Sequence, residues 1–431
     1  MRARLIITLV LALLLTACGD DDGLTTTSTG GELTTTTAGQ ASTTTEGPTT
    51  TGGQAGESGW TRVAHDDAVF GVSDPSWMSA AIYGVTAGGP GLVAVGLDFP
   101  HLDFAAMGGV WTSPDGSAWS KSPWDPQAAM GTVEAVASGP LGLVAVGSEY
   151  NGSDNDAVVW SSPDGVAWSR VPDAGGVFGG PGWQGMHAVI AAGPGWVAVD
   201  HDDSGEDWNA AVWTSPDGST WARVPHDETL FGGLNDQEMF GVASAGPGLV
   251  AVGVDDEAAG AWVSADGLAW QKVPSDRFSS SPEFAGHDKV MRAVTAGGPG
   301  FVAVGSIGLY SEATDEHDWD AAVWVSSDGI TWVLVSEDAA TFGGPGTQEM
   351  AAVTAGGSGF VAVGWDYASG EAEAAVWTSP DGTNWVRVLD PAVFGGAGDQ
   401  EMRGVAVIGS RVVAVGRDGA NAAVWVSPPL G

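Results

Sequence analysis

Ala210-Ala211-Val212-Trp213-Thr214-Ser215-Pro216-Asp217-Gly218-Ser219-Thr220-Trp221-Ala222-Arg223-Val224 decides the fold. A run of β-formers ends in Trp, a Ser-Pro-Asp-Gly turn follows, and a second short run opens on another Trp. Apolar runs bounded by Gly, Pro and Asp are the signal for strands joined by a hairpin. The unit recurs. Its first Trp reappears as Trp111, Trp160, Trp262, Trp324, Trp377 and Trp425, and its second as Trp119, Trp168, Trp270, Trp332 and Trp385.

Upstream of each unit lies a Val-Ala-Val-Gly run or a close variant, beginning at Val93, Val144, Val197, Val250, Val302, Val361 and Val413. Before it comes Met-x-(Ala/Gly)-Val, as at Met239 to Val242. Each unit is therefore four strands, A to D, at the roughly 50-residue period of propeller blades. No segment of the mature chain has a helical period. Strands A, B and C occur seven times, but the last unit stops at Gly431 without a strand D. Trp60-Thr61-Arg62-Val63 matches Trp221-Ala222-Arg223-Val224. The expectation is an all-β, seven-bladed propeller of four-stranded antiparallel blades, with the N-terminal strand completing the last blade.

The Ser-Pro-Asp-Gly-x-x-Trp turn resembles the Asp-box of sialidase-like propellers, though it lacks a residue between Asp and Gly. In that family the box is structural: the Asp fastens the hairpin, the Trp packs beneath it, and active sites lie on the other face. The resemblance implies fold more than activity.

The ends of the chain divide it further. Arg2 and Arg4 precede an apolar run, Leu5 to Leu15, too short to span a bilayer comfortably, and Leu15-Thr16-Ala17-Cys18 follows. This resembles a bacterial lipobox, which implies lipidation of Cys18. Residues 1–18 are expected to be a lipoprotein signal, 19–57 a disordered Thr/Gly-rich linker, and 58–431 the propeller. The protein is then exported and anchored by lipid to the bacterial cell envelope, facing outside the cytoplasm, and meets the membrane only through that anchor. The single Cys excludes a disulfide framework. A net charge of −39 repels phosphate backbones and argues against nucleic acid. The chain is expected to be a monomer.

Residues that recur in every blade are explained by packing, so those that break the repeat are the candidates for function. Seven of the 21 Trp residues fall outside the two repeat positions. Trp196 belongs to a strand B. Trp77, Trp124 and Trp183 fall in D–A loops and Trp208, Trp319 and Trp365 in B–C loops, which emerge on one face. With Tyr367 and His187 they form the candidate ligand-binding set, suited to a sugar or a protein. Each B–C loop carries carboxylates, among them Asp98, Asp103, Glu149, Asp154 and Asp255 to Glu257, giving an acidic rim.

No cofactor is expected, with one exception. Asp200, Asp202 and Ser204 place oxygen donors at alternating positions before Gly205, which resembles the opening of a Ca²⁺ loop, although the twelfth position is Ala211. One strand-A position carries Tyr83, Glu134, His187, Phe240, Arg292, Ala351 and Arg403 around the axis. The sialidase resemblance gives Tyr83, Glu134, Arg292 and Arg403 as an alternative catalytic set. The basic residues of strand D (Arg62, Lys121, Arg170, Arg223, Lys272 and Arg387) read as guards of the blade edge. Three functions stand: a non-catalytic surface lipoprotein binding a protein or glycan through the long-loop face, a sialidase-like glycoside hydrolase, and an envelope assembly scaffold.

Overall fold

The computed structural model describes residues 58–430, apart from 73–78, 99–106, 123–130, 280–286, 312–315, 336–339 and the single positions 206, 234, 247, 299, 358 and 369. Cys18, the expected linker, Trp77, Trp124 and Asp103 lie outside the described residues.

Seven antiparallel blades follow one another, built from residues 81–121, 131–170, 188–223, 237–272, 288–334, 348–388 and 400–426. Within each, strands A to D lie side by side in chain order. Each strand A touches the strand A of both neighbouring blades, and that of blade 1 touches that of blade 7. The ring is thus closed, with strand A innermost. Thr61–Arg62 supplies strand D of blade 7, Thr61 opposite Val426 and Arg62 opposite Trp425. The architecture and the closure are those expected.

The core lies between blades. Each of seven apolar clusters joins two adjacent blades; one of them packs Leu92 and Trp111 of blade 1 against Val413 and Val415 of blade 7. A single blade exposes both faces, so the ring folds only by stacking its members. The first repeat Trp is the largest side chain in these layers. Its indole N–H reaches out to a carbonyl in a D–A loop: Trp111 to Val69 at 2.7 Å, Trp213 to Val177 at 2.9 Å, and Trp377 to Thr341 at 2.7 Å.

The second repeat Trp closes the C–D turn. In blade 1, Ser113 Oγ accepts from Gly116 N at 2.8 Å, and Asp115 Oδ1 accepts from Ser117 N at 2.8 Å and Ala118 N at 3.0 Å. Trp119 Nε1 donates to Gly116 O at 2.8 Å. Gly116 has φ +84°, in the left-handed region that an L side chain rarely adopts. These backbone N–H groups favour the ionised acid, and all six equivalent carboxyls are held below the ordinary range, Asp217 down to about 2.

Three features depart from expectation. Two one-turn helices, Glu228–Phe231 and Pro391–Phe394, occupy D–A loops and sink Phe231 and Phe394 into the core. Four residues are too few to leave a helical period in the sequence. Blade 5 has a fifth strand, Phe278–Ser279, parallel to Trp332–Leu334. The strand-D bases are also more than edge guards, because each crosses strand C to an acid at the end of strand B. The pairs are Lys121–Asp98 at 2.6 Å, Lys272–Asp255 at 2.7 Å, Arg62–Asp418 at 2.8 Å, Arg170–Glu149, Arg223–Asp202 and Arg387–Asp366. Asp98, Glu149 and Asp255 are thereby withdrawn from the acidic rim. In blade 5 the two positions are Ile307 and Leu334, which meet in one apolar cluster. Acid and base are replaced together there, so no charge is left alone.

Candidate functional site

The inner ring is built by a repeated irregularity. Strand A is bulged in blades 1, 2, 4, 5, 6 and 7, and the extra residue is Tyr83, Glu134, Phe240, Arg292, Ala351 and Arg403 respectively. A bulge leaves one residue unpaired and re-aims its side chain. In blade 3 the same place falls to His187, whose N–H bonds Val199 O at 3.0 Å. The residue after the bulge is small because strand A of the next blade passes close. A Cβ on Gly404 would lie 2.8 Å from Tyr83 O, and one on Gly241 3.1 Å from Ala293 Cα. This explains the Met-x-(Ala/Gly) pattern: Met enters the core, x faces the ring, and the small residue lets the blades meet.

The bulge side chains touch across blade boundaries in two runs. In one, the Arg403 guanidinium lies 5.4 Å from the Tyr83 ring and 5.4 Å from the Trp365 ring. Burial, then the charge of Glu134, pushes the Tyr83 phenol well above its ordinary range. In the other, His187 meets Phe240 edge-on at 5.4 Å, and the Arg292 guanidinium lies 4.8 Å from the Phe240 ring. Of the alternative catalytic set, Tyr83, Glu134 and Arg403 are neighbours, and Arg292 belongs to the second run. Both arginines are engaged by glutamates, Arg292 by Glu349 at 2.7 Å and Arg403 by Glu401, which also pairs with Arg417.

Around this ring the long loops form a belt. The D–A loops between blades 2 and 3 and between blades 3 and 4 are each held by the B–C loops on either side. Asp154 accepts from Gly182 N at 3.2 Å, and Asp203 N donates to Trp183 O at 2.7 Å. Asp236 accepts from Trp208 N at 3.1 Å, while Asp256 N donates to Asp236 O at 2.9 Å. The two loop sets thus share one face, as expected. Trp183, Trp208, Trp319, Trp365 and Tyr367 are all half-buried there, and His187 is exposed. Burial, followed by the charges of Glu401 and Asp399, raises the Tyr367 phenol.

The Asp200 loop divides in two. Asp202 is buried, accepts from Gln184 at 2.9 Å, pairs with Arg223 and is bonded by Ser204 N and Oγ at 3.0 and 3.1 Å. The same Gln–Asp–Arg arrangement recurs as Gln348–Asp366–Arg387 and Gln400–Asp418–Arg62. Asp202 is therefore a repeat residue. Asp200 is not: it is buried against His201, with Oδ1 at 2.9 Å from Nδ1.

Sequence reasoning named Asp200 and His187 but gave no role to His201 or Glu238. His201 stacks on Trp208, with centroids 4.5 Å apart and planes 9° apart. Glu238 of blade 4 closes the group, its Oε2 3.9 Å from His201 Nδ1. Donor atoms of Asp200, His201 and Glu238 all lie within 4.8 Å of one another. Burial opposes charge on His201, but Asp200 and Glu238 outweigh it and hold the imidazole at about 9. Burial, aided by Asp200, lifts Glu238 to about 7 against the pull of His201. Glu238 was missed because it sits in a Gln-Glu-Met motif that also occurs at Glu349 and Glu401.

Fold and ring define the class, a seven-bladed β-propeller with a polar mouth at the long-loop end. No protein-family model matches the chain, and no curated protein matches it. Among solved structures it is similar to one described as YCF48 bound to D1 peptide (12% identity, 81% of this chain and 94% of that one, TM-score 0.49). It is also similar to Sqt1 from Chaetomium thermophilum (12% identity, 82% and 98%, TM-score 0.44). A third likeness is to a glycoside hydrolase from Parabacteroides distasonis (13% identity, 69% and 87%, TM-score 0.36). These likenesses concern the fold.

Proposed function

We propose that the chain is a non-catalytic lipoprotein, tethered through Cys18, whose long-loop face binds a protein partner of basic character. The observation that supports this most is how charge is distributed. The bases of strand D and of the ring are matched by carboxylates inside the blades. Exposed carboxylates then remain on the long loops at Asp236, Asp256, Glu257 and Asp318, in a chain of net charge −39. Such a field attracts cationic surfaces and orients their approach. The hydrogen-bonded belt holds the loops in place, which lowers the ordering cost of binding.

The glycosidase alternative is less well supported. Arg292 and Arg403 already carry glutamate partners, and a buried phenol raised above its ordinary range is a poor nucleophile. Kinship with Asp-box propellers rests on the turn alone, which lies at the opposite end of each blade.

The test is retention of partners from envelope extracts by the immobilised full chain, with cross-linking on intact cells to place the contact. Retention should fall steeply as ionic strength rises from about 0.15 M to about 1 M, where the screening length drops from roughly 8 Å to roughly 3 Å. Replacing Asp236 and Asp256 by Asn and Glu257 by Gln should remove it. Leu141→Ser with Val166→Ser, on the short-turn face, should leave it intact. Specific glycan-array binding or release of sialic acid would overturn the reading.

A further inference from the structure

Blade 3 departs from the repeat at several linked positions. In the other six blades strand B carries Gly at 96, 147, 253, 305, 364 and 416, opposite the residue just before the bulge. Each must be Gly, because a Cβ there would collide with a strand-A backbone carbonyl, that of Ala81, Thr132, Glu238, Val290, Glu349 and Glu401 in turn. In blade 3 the residue is Asp200. The strand-A residue that is Glu in blades 4, 6 and 7 is Gly185, where a Cβ would meet Asp200 Oδ2 at 2.7 Å. Regular pairing of strand A begins only at Ala188. One blade has exchanged a backbone contact for a buried carboxylate and the space to hold it.

The carboxylate is surrounded by donors. His201 Nδ1 is 2.9 Å from Asp200 Oδ1, His187 Nδ1 is 4.0 Å from Asp200 Oδ2, and Glu238 Oε2 is 3.9 Å from His201 Nδ1. Donor atoms of Asp200, His201 and Glu238, from two blades, thus meet at the mouth, with the His187 imidazole beside Asp200. Zn²⁺ takes such nitrogen and oxygen ligands at about 2.0–2.2 Å, which in a tetrahedron puts neighbouring ligand atoms about 3.4 Å apart. The observed separations bracket that value. Two carboxylates balance the charge of a divalent ion, and the planar stack of His201 on Trp208 fixes one ring.

We propose that Asp200, His201, Glu238 and His187 form a binding site for a divalent transition-metal ion of the Zn²⁺ class. Asp200, His201 and Glu238 form its inner part, and the more exposed His187 closes it or yields to an incoming ligand. The site shares only Asp200 with the Ca²⁺ loop expected from sequence, and its nitrogen donors disfavour Ca²⁺. It does not depend on the proposed partner.

The test is calorimetric titration of the full chain, stripped with chelator, with Zn²⁺ and separately with Ca²⁺. One Zn²⁺ per chain is expected. Asp200→Gly, the residue of the six sister blades, and His201→Gln should each weaken binding by at least about 10–100-fold, the loss that even an outer-shell change costs. Ser204→Ala should leave it unchanged. A second readout uses the wild type alone: Co²⁺ should shift the imidazole NMR signals of His187 and His201 among the seven His residues. The proposal is overturned by a folded wild type that takes no Zn²⁺, by variants that retain wild-type affinity, by a Ca²⁺ response without Zn²⁺, or by Co²⁺ shifts confined to other histidines.

Discussion

Blades 3 and 6 share a period and an outer half, and they part company at the axis. Both carry the Gln–Asp–Arg arrangement, as Gln184–Asp202–Arg223 and Gln348–Asp366–Arg387. Both bond a strand-C indole to a D–A carbonyl. On the inner side blade 6 has Glu349, Gly364 and Trp365, whereas blade 3 has Gly185, Asp200 and His201. In a ring the outer half of each blade meets the same demand, to fill a wedge between neighbours. The inner end faces a mouth, where packing asks less and local chemistry is free to vary.

The largest effect should come from forcing one blade to imitate the other. Gly364→Asp in blade 6 sets a side chain on the carbonyl of Glu349, a backbone atom that cannot turn aside. Unfolding in denaturant should show a loss of about 4 kcal/mol or more. The reverse change, Asp200→Gly, should cost less, about 1–3 kcal/mol, because it takes the acid from the His201 imidazole but creates no backbone clash. Equal costs would mean that blade 3 is an ordinary blade.

Next in size is the buried charge. Asp366→Asn leaves Arg387, whose side chain is 18% exposed, without its acid. A loss of about 2 kcal/mol is expected, below the figure for a fully buried pair. Blade 5 shows the natural remedy, Ile307 with Leu334. Asp366→Ile combined with Arg387→Leu should therefore be more stable than either single change, and a double-mutant cycle reads the coupling.

A smaller effect tests the common outer half. Trp213→Phe and Trp377→Phe each remove an indole N–H and leave the carbonyl of Val177 or Thr341 unmatched. Each should cost about 1–2 kcal/mol, and the two should agree within about 0.5 kcal/mol. A large difference would show that blade 3 differs in its outer half as well.

The gentlest probe is pH. The Asp217 carboxyl is lowered in the folded state to about 2 by the N–H groups of Ser219 and Thr220. A depressed acid contributes stability above its unfolded value, near 4, and loses it as pH falls towards 2. Unfolding midpoints should decline across that window. Asp217→Asn should flatten the decline only slightly, because five sister turns titrate with it. An increase in stability on acidification would contradict the assignment.

Much of this was legible before any coordinate. Period, strand order, blade count and the borrowed strand at Thr61–Arg62 all follow from recurring residue types, because every interblade layer needs the same apolar set. The ring position of Tyr83, Glu134 and Arg403 was also legible, as the variable x between an apolar residue (Ile82, Val133 and Met402) and a small one. The partners of these residues were not. Arg403 and Glu401 are two apart in sequence, but Arg292 and Glu349 lie 57 apart and meet only because blades 5 and 6 are adjacent. The strand-D bases looked like edge guards because their acids lie 17 to 21 residues away in Lys272–Asp255 and Arg387–Asp366.

The sequence by itself determined an all-β ring of seven four-stranded units. Repetition writes the same packing requirement seven times, and one strong signal survives local noise. Only the tertiary structure decided that Gly364 cannot be replaced while Asp200 stands in its place, and that His187, His201 and Glu238 meet that carboxylate. Those facts depend on where a bulge turns a carbonyl and on which blades are neighbours. Both are set by closure of the ring and belong to no single stretch of chain.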